Sequence, residues 1–492
     1  MRPASETFDE PGLKSPGRDG TTPTDMALVV LWCRDDARRV GEVATLRESE
    51  DTAFGREPGA DHHVLSFYRE RGGVRESTAA FAGKRMSRRQ LLLRSEAGQL
   101  HVKQVGRCPM LVGGAVVDEA RLRSGDLLHL DGELTFLCTR REHTPRAPGL
   151  FPVSALGAFG EVDEFGLLGE SPALQRVRES LAWHAKSTEH LLILGPSGVG
   201  KELAARALHT MSSRANRPFV ARNAATIPSG LVDAELFGNL RNYPNPGSPE
   251  RPGLLGEAQG GVLFLDEIAE VPESMHAHLL RVLDDRGEYH RLGESLARRA
   301  DVRLFAATNR GIDAIKHDLA ARIPLRIVIP GLNERREDIP LLARHLLRLT
   351  RHKSPELAAR FFDEEDLPRF SAGFVDAIVT RDYSTHVREL RGLLWRAMAD
   401  SPDDMVMPPR PERPPSTRRR AAVADSAAAP AATSAAAPPP ELTADHVREA
   451  LRRHGGNATA AARELGLSSR FVLYRRMKKL NMDITEARVD DD

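Results

Sequence analysis

The sequence predicts a multidomain chain. An N-terminal β-sandwich comes first, then a central α/β P-loop domain with a helical lid, then a C-terminal all-α helix-turn-helix. Three observations predict it. A buried-strand, glycine-loop, helix unit lies at residues 191–208. Short apolar runs separated by Gly- and Asp-rich turns fill residues 27–140. Helical periodicity returns over 442–482, beyond a Pro-, Ala- and Arg-rich stretch. A chain of 492 residues is too long for one core. The expected division is a disordered segment 1–24, a sandwich 25–142, a linker 143–164, an α/β subdomain 165–335, a helical lid 336–404, a second linker 405–440, a helix-turn-helix 441–482 and a tail 483–492.

Composition narrows the function classes. Seventy Lys and Arg face 69 Asp and Glu, a net charge of +1, so whole-protein steering by charge is not expected. Cys33, Cys108 and Cys138 are widely spaced and fit no disulfide or metal framework. The first residues lack the apolar run of a signal peptide, no segment approaches the length of a membrane span, and no solenoid repeat is visible. A reduced, cytoplasmic setting without a membrane partner is the expectation.

Residues 1–24 are rich in Pro, Gly, Thr and Asp and cannot supply a core. Strands are expected at 27–32, 91–94, 99–102, 126–130 and 134–138, a spacing that suits a sandwich. Three local features sharpen this: Phe54-Gly55-Arg56, Ser87-Arg88-Arg89-Gln90 and Val112-Gly113-Gly114. With them the segment resembles a forkhead-associated (FHA) domain, a phosphothreonine-binding sandwich. The resemblance implies that Arg56, Ser87 and Arg88 lie on loops at one end and hold a phosphate, an anion suited to guanidinium and hydroxyl donors. It departs at Gln90, where the family often has His, and at Arg107-Cys108-Pro109-Met110, where the family has an Asn before a Gly.

Leu191-Leu192-Ile193-Leu194 reads as a buried strand, Gly195-Pro196-Ser197-Gly198-Val199-Gly200 as a phosphate-cradling loop, and the residues from Lys201 as a helix. Glycines let several N–H groups converge, and the helix N-terminus adds partial positive charge. Lys201 would reach the outer phosphates. Glu202 stands where the strict pattern has a magnesium-holding Ser or Thr. Downstream, Gly261-Val262-Leu263-Phe264-Leu265-Asp266-Glu267 is an apolar strand ending in two carboxylates. Asp266 would hold Mg2+ and Glu267 would orient the attacking water. Alternating strands and helices point to a parallel sheet with ligands at its C-terminal edge.

Six motifs run in order: Asn223-Ala224-Ala225, Glu235-Leu236-Phe237-Gly238, Leu263 to Ile268, Ala306-Ala307-Thr308-Asn309, Glu334 to Pro340, and Val387-Arg388-Glu389-Leu390. On these, residues 168–397 resemble the AAA+ domain of bacterial enhancer-binding proteins, the sigma-54-dependent activators, in which Glu commonly follows the P-loop lysine. The resemblance implies an ATPase that uses ATP and Mg2+. Asn223 would restrain Glu267 until the γ-phosphate is sensed. Asn309 would contact the γ-phosphate or the water, and Arg388 would reach the nucleotide from the lid. The site would be completed by Lys316 and Arg322 of a neighbouring copy in a closed ring, hexameric in the family. Lys316 replaces an arginine and loses its planar fork, which implies weakened hydrolysis. Between Gly238 and Gly253 the family carries Gly-Ala-Phe-Thr-Gly-Ala, its contact with the sigma factor. Here the loop reads Asn242-Tyr243-Pro244-Asn245-Pro246-Gly247. The lid has Tyr383-Ser384-Thr385-His386 where the family has Trp-Pro-Gly-Asn.

The Arg418-Arg419-Arg420 cluster of the second linker would either touch DNA phosphate or keep the linker solvated. From 441 to 482 there are nine Lys/Arg and four Asp/Glu, a local net of +5. Helix, Gly-containing turn and helix there match a helix-turn-helix. Gly456-Asn457, Ala461-Ala462, Leu465-Gly466-Leu467 and Tyr474-Arg475 resemble the Fis-type motif that ends enhancer-binding proteins. Ser469, Arg470 and Arg475 are the candidates for DNA contact, Lys478 and Lys479 for phosphate, with Phe471, Leu473 and Met477 partly core.

Two readings stay open. In one, an ATP-hydrolysing ring remodels RNA polymerase with sigma-54 from an upstream DNA site, with phosphothreonine-linked sensing by the sandwich. In the other, nucleotide controls a DNA-bound regulator that does not remodel sigma-54 polymerase. A AAA+ replication initiator or helicase loader would lack the six-motif match.

Overall fold

Strand Thr24–Cys33 is buried on both of its faces, and the chain's architecture follows from that. In the computed structural model, the residues described are 24–59, 61–143, 149–284, 287–410, 444–454, 461–462, 464–465, 473 and 477. The chain divides into two compact units, Met1–Glu412 and Arg413–Asp492.

The first unit opens with two sheets packed face to face. The larger runs in the order 115–116, 110–112, 127–130, 134–142, 24–33, 43–46, 68–71, 74–77, and the smaller in the order 119–122, 99–104, 91–96, 51–54, 63–64. All pairs are antiparallel except Asp51–Phe54 with His63–Val64. Gly113 and Gly114, both at positive φ, make the two-residue turn that pairs Val112 with Ala115. Between the sheets, Phe54, Phe67, Phe81 and Phe136 meet with ring centroids 5.1–6.5 Å apart. The five expected strands are present. The other eight strands of these sheets among the described residues are each four residues or fewer, and some, such as Val74–Ser77, are largely polar and exposed.

Period-2 alternation splits the first strand between two cores. Met26, Leu28 and Val30 face the second sheet. Ala27, Val29 and Leu31 face outward into a separate core with Leu341, Leu342, Phe374 and Val375. Those residues belong to helices Ile339–Lys353 and Ala372–Thr380 of the expected lid. Trp32 Nε1 donates to the Phe370 carbonyl at 2.7 Å across the same junction. Trp32→Phe keeps the ring packing and removes that bond, so we expect a loss of about 1–2 kcal/mol in urea unfolding of the whole chain.

The connector 143–164 is not a free tether over residues 149–164. Phe151, Ala155 and Leu156 are buried with Ala182. Asp163 accepts from the Phe165 and Leu167 amides and pairs with Arg178 at 2.9 Å in a fully buried ion pair.

The central sheet is wholly parallel, in the order Phe219–Asn223, Val262–Asp266, Arg303–Thr308, Leu191–Leu194, Leu325–Val328. Its three inner strands are buried almost throughout because helices cover both faces, while the edge strands Phe219–Asn223 and Leu325–Val328 are more exposed. Helices Pro172–Ala185 and Lys201–Met211 cover one, and helices Val232–Phe237, Glu273–Leu283 and His317–Ala321 cover the other. The lid follows, ending with helix His386–Asp400.

In the second unit, helix Ala444–Arg453 buries Val447, Ala450 and Leu451 with Ala461, Ala462, Leu473 and Met477. Arg453 and His454 pair with Glu464 at 2.5 and 2.6 Å. Among the described residues, no helix is long and apolar enough to cross a membrane.

Candidate functional site

The loop between strand Leu191–Leu194 and helix Lys201–Met211 emerges at the C-terminal edge of the parallel sheet, where side chains from several strands converge. Gly195, Gly198 and Gly200 hold φ of 156°, 79° and 103°, values open to glycine, and a Cβ at Gly198 would collide with the Thr385 carbonyl. Pro196, Ser197 and Val199 complete the loop. Lys201 is buried, at 7% exposure, and its Nζ donates to the Gly195 and Pro196 carbonyls at 3.0 and 3.3 Å. Burial lowers its pKa, opposed by Glu267 and Asp266. A buried ammonium held, among the described residues, by loop carbonyls inside a glycine cradle suits a polyanionic group that would take over those bonds. Glu202 turns the other way and pairs with Arg206 at 2.7 Å.

Asp266 and Glu267 close the next strand but one. Asp266 Oδ1 accepts from the Glu267 amide at 3.0 Å. Glu267 is left-handed, with φ 55°, and its Oε2 accepts from the Asn309 amide at 3.4 Å. A non-glycine residue held there is a strained position of the kind found at functional sites. Asn223 stands opposite Asp266 in the sheet register, and its Oδ1 accepts from the Ala225 amide at 2.9 Å, capping the short turn Ala224–Thr226. Among the described residues, no hydrogen bond joins Asn223 to Glu267; the structure holds them on neighbouring strands with separate partners. Arg388 reaches the loop from the lid, Nη1 to Ser197 Oγ at 3.4 Å, beside Val387 N to Gly198 O at 3.2 Å. Lys316 and Arg322 lie away from this cluster, flanking helix His317–Ala321, with Arg322 bound to Asp284 at 2.6 Å. No group of three or more His, Cys, Asp or Glu among the described residues is placed to hold a metal.

Sequence reasoning missed His386, which the Trp-Pro-Gly-Asn comparison only marked as different. It is 5% exposed at φ 43°, and its Nδ1 accepts from the Leu332 amide at 3.1 Å, fixing the lid turn to the end of the sheet. Burial, with Arg335 adding to it, pushes its pKa below the ordinary 6.5. A histidine with a depressed folded pKa contributes stability that is present above 6.5 and lost as pH falls through the folded value. Thermal melts of the full chain are therefore expected to fall as pH drops below 6.5, with His386→Asn, which can still accept through Oδ1, showing a smaller fall.

Two other predicted sites stand apart. At one end of the sandwich, Arg56, Ser87 and Arg88 do come together: Arg56 N donates to Ser87 O at 3.1 Å, and Arg88 lies 3.6 Å from Glu57. Ser87 Oγ accepts from the Arg107 amide at 2.8 Å, which brings a third arginine to this end. Fully buried Gln90 bonds both the amide and the carbonyl of Cys108, stitching the two loops together. The loop 239–251 is closed on itself. Asn239 Nδ2 donates to the Leu240, Tyr243 and Pro249 carbonyls, Arg291 donates to the Asn239 and Arg251 carbonyls, and Tyr243 lies over Gly293. The DNA candidates Ser469, Arg470, Arg475, Lys478 and Lys479 lie outside the described residues, as does Phe471. Leu473 and Met477 are buried, as expected.

Residues 167–325 match the Sigma-54 interaction domain, and residues 439–480 match the bacterial regulatory protein, Fis family. The chain is 34% identical over 319 residues to the transcriptional regulatory protein ZraR of Salmonella typhimurium, covering 63% of this chain and 68% of that one. It is 32% identical over 326 residues to the response regulator protein PilR of Pseudomonas aeruginosa, covering 64% and 70%. A solved structure of NtrX from Brucella abortus in complex with ADP is 28% identical, covers 65% of this chain and 70% of that chain, and gives a TM-score of 0.45. With a Sigma-54 interaction domain, a Fis-type helix-turn-helix and this similarity across two thirds of a curated relative, the chain belongs to the family of sigma-54-dependent transcriptional regulators.

Proposed function

We propose that this chain is a cytoplasmic, ATP-dependent, DNA-binding transcriptional regulator whose nucleotide site lies between copies in a ring. The observation that carries this is the buried Lys201 ammonium, held among the described residues by its own loop carbonyls, beside Asp266 and Glu267. ATP is bound by the loop 195–201, with Asp266 holding Mg2+, Glu267 orienting water, Asn309 contacting the γ-phosphate or the water, and Arg388 reaching the nucleotide from the lid. Asn223 acts on Glu267 only if it leaves its cap on Ala225. Arg322 and Lys316 serve the neighbouring copy. Ser469, Arg470 and Arg475 read DNA, with Lys478 and Lys479 on phosphate.

The sandwich is read as an FHA-type phosphothreonine sensor, with Arg56, Ser87 and Arg88 around the phosphate and Arg107 beside them. Titration with a phosphothreonine peptide tests this: Arg88→Ala should weaken binding at least about tenfold, the worth of one charge-assisted contact. Equal affinity for the unphosphorylated peptide would remove the sensing role.

A second reading is favoured by one feature. The loop 239–251 is locked by Asn239, Arg291 and the Tyr243–Gly293 contact, and it lacks the family's Phe-Thr pair. On this reading, nucleotide governs assembly on DNA without remodelling sigma-54 polymerase. Native-gel retention of sigma-54 by the full chain with ADP–aluminium fluoride decides between them. Trapping supports the remodelling ring, and its absence under conditions where nucleotide is bound supports the regulator that does not remodel.

A further inference from the structure

The sandwich does not only sit on the lid. It also reaches across to the start of the α/β part, and the two contacts differ in kind. Toward the lid the contact is apolar: Ala27, Val29, Leu31 and Leu137 share one core with Leu341, Leu342, Phe374 and Val375. The buried Arg141–Glu337 ion pair and the Trp32–Phe370 hydrogen bond lie at its edges. Interfaces of this sort move as one body.

Toward the α/β part the contact is polar and runs through Arg71. Its guanidinium donates to the carbonyls of Gly157 at 2.8 Å, of Ala158, and of Glu161 at 3.1 Å, and its Nε lies 3.4 Å from Glu170 Oε1. Glu170 immediately precedes Ser171, the cap of helix Pro172–Ala185, and Asp338 at the root of the lid accepts from the Glu170 and Ser171 amides. The segment 157–161 is gripped from the lid as well, by Arg344 on Gly160 and Arg348 on Glu161. This polar side is under-satisfied. Among the described residues, Arg71 Nε, Glu170 Oε2 and Gln175 Nε2 are buried without a hydrogen bond. Buried polar atoms left unpaired are costly, and they recover that cost when water reaches them.

We propose that the sandwich and residues 157–161 form a clamp across the hinge between the lid and the α/β part, and that the Arg71–Glu170 junction is where the clamp opens to release nucleotide. The apolar side stays docked, so the sandwich travels with the lid. The lid also touches the nucleotide loop through Val387 and Arg388, so opening at Arg71 loosens that contact. This inference rests on the reading of the loop as a nucleotide site.

The test is stopped-flow release of a fluorescent ADP analogue from the full-length chain. Arg71→Ala removes the grip and should speed release about tenfold, within the usual range of coupling between sites. Arg71→Met with Glu170→Leu replaces the under-satisfied pair by apolar contact and should slow release about fivefold, because an apolar substitute for a buried pair is often the more stable. Hydrogen exchange of residues 157–171 should rise in the first variant and fall in the second, which reads the clamp without nucleotide. Where Arg71→Ala fails to fold, the double variant and Arg71→Lys, expected to lie between wild type and alanine, carry the test. One release rate and one exchange pattern in all chains that bind the analogue would overturn the clamp alone. Failure of the wild-type chain to bind the analogue would overturn the nucleotide reading, whatever the exchange data give.

Discussion

Lys201→Ala is expected to weaken ATP and ADP binding by about 10²–10⁴-fold while leaving the fold intact. The loss follows from two charge-assisted bonds to phosphate, each worth about 1.5–3 kcal/mol. The intact fold follows from the state of the amine without ligand. It is buried, its only hydrogen-bond acceptors among the described residues are the Gly195 and Pro196 carbonyls, and burial lowers its pKa despite Asp266 and Glu267. An ammonium with a depressed folded pKa costs stability at neutral pH, so removing it relieves the fold. The melting temperature of the alanine variant should therefore equal or exceed that of the wild type, while calorimetric titration shows little or no nucleotide binding. Tight ATP binding by the variant would sink the proposed site. A collapsed melting temperature would mean that Lys201 is a structural lysine.

Much of this site was legible because its signals are local. A P-loop needs strand, glycines, lysine and helix within about a dozen residues, and the sequence has them in order. The strands leading to Gly195 and to Asp266 were legible for the same reason, as apolar runs bounded by turns, whereas Leu325–Val328, broken by Arg326, was not read. Contacts between distant segments were not legible. Asn223 and Glu267 lie on adjacent strands, as expected, but Asn223 spends its oxygen on Ala225, which depends on the short turn after its strand. His386 gave no signal, because its role depends on where Leu332 arrives.

One long-range feature did leave a trace. Met26-Ala27-Leu28-Val29-Val30-Leu31 is apolar at every position, which a one-sided sandwich strand does not require. The run signals burial on both faces, and the lid is what covers the second. The connector hid its packing differently. Its Pro, Gly and Ala composition suggests a spacer, but Phe151, Leu156 and the Asp163–Arg178 pair tie it down. Strand Val74–Ser77 was missed because edge strands can be polar throughout, so alternation is absent.

Equimolar mixing of two inactive chains is expected to restore ATP turnover. Glu267→Gln should lower hydrolysis by about 10²–10⁴-fold by removing the group that positions water. Arg322→Ala should lower it by about 10³–10⁵-fold if this arginine serves a transferred phosphate. The sheet register explains why Arg322 cannot serve its own site. Leu325 pairs with Leu191 and Val328 with Leu194, so Arg322 precedes its strand at the N-terminal edge of the sheet. The nucleotide loop leaves from the C-terminal edge, a strand's length of about 13 Å away. Arg322 instead borders an open recess with Glu189 and His190, which lead into the strand before that loop. It is held there by Asp284 at 2.6 Å and the Asp318 carbonyl at 3.1 Å. Exposed pairs of this kind are worth about 0–1 kcal/mol, so a neighbour's phosphate can displace Asp284 at little cost. In a ring of randomly mixed copies, a working site needs Glu267 from an Arg322→Ala chain and Arg322 from a Glu267→Gln neighbour. That arrangement occurs at about a quarter of head-to-tail interfaces, so the mixture should reach about a quarter of wild-type turnover. A mixture no more active than its parents would place the completing arginine elsewhere. Parents that differ little from wild type would remove these two residues from the chemistry.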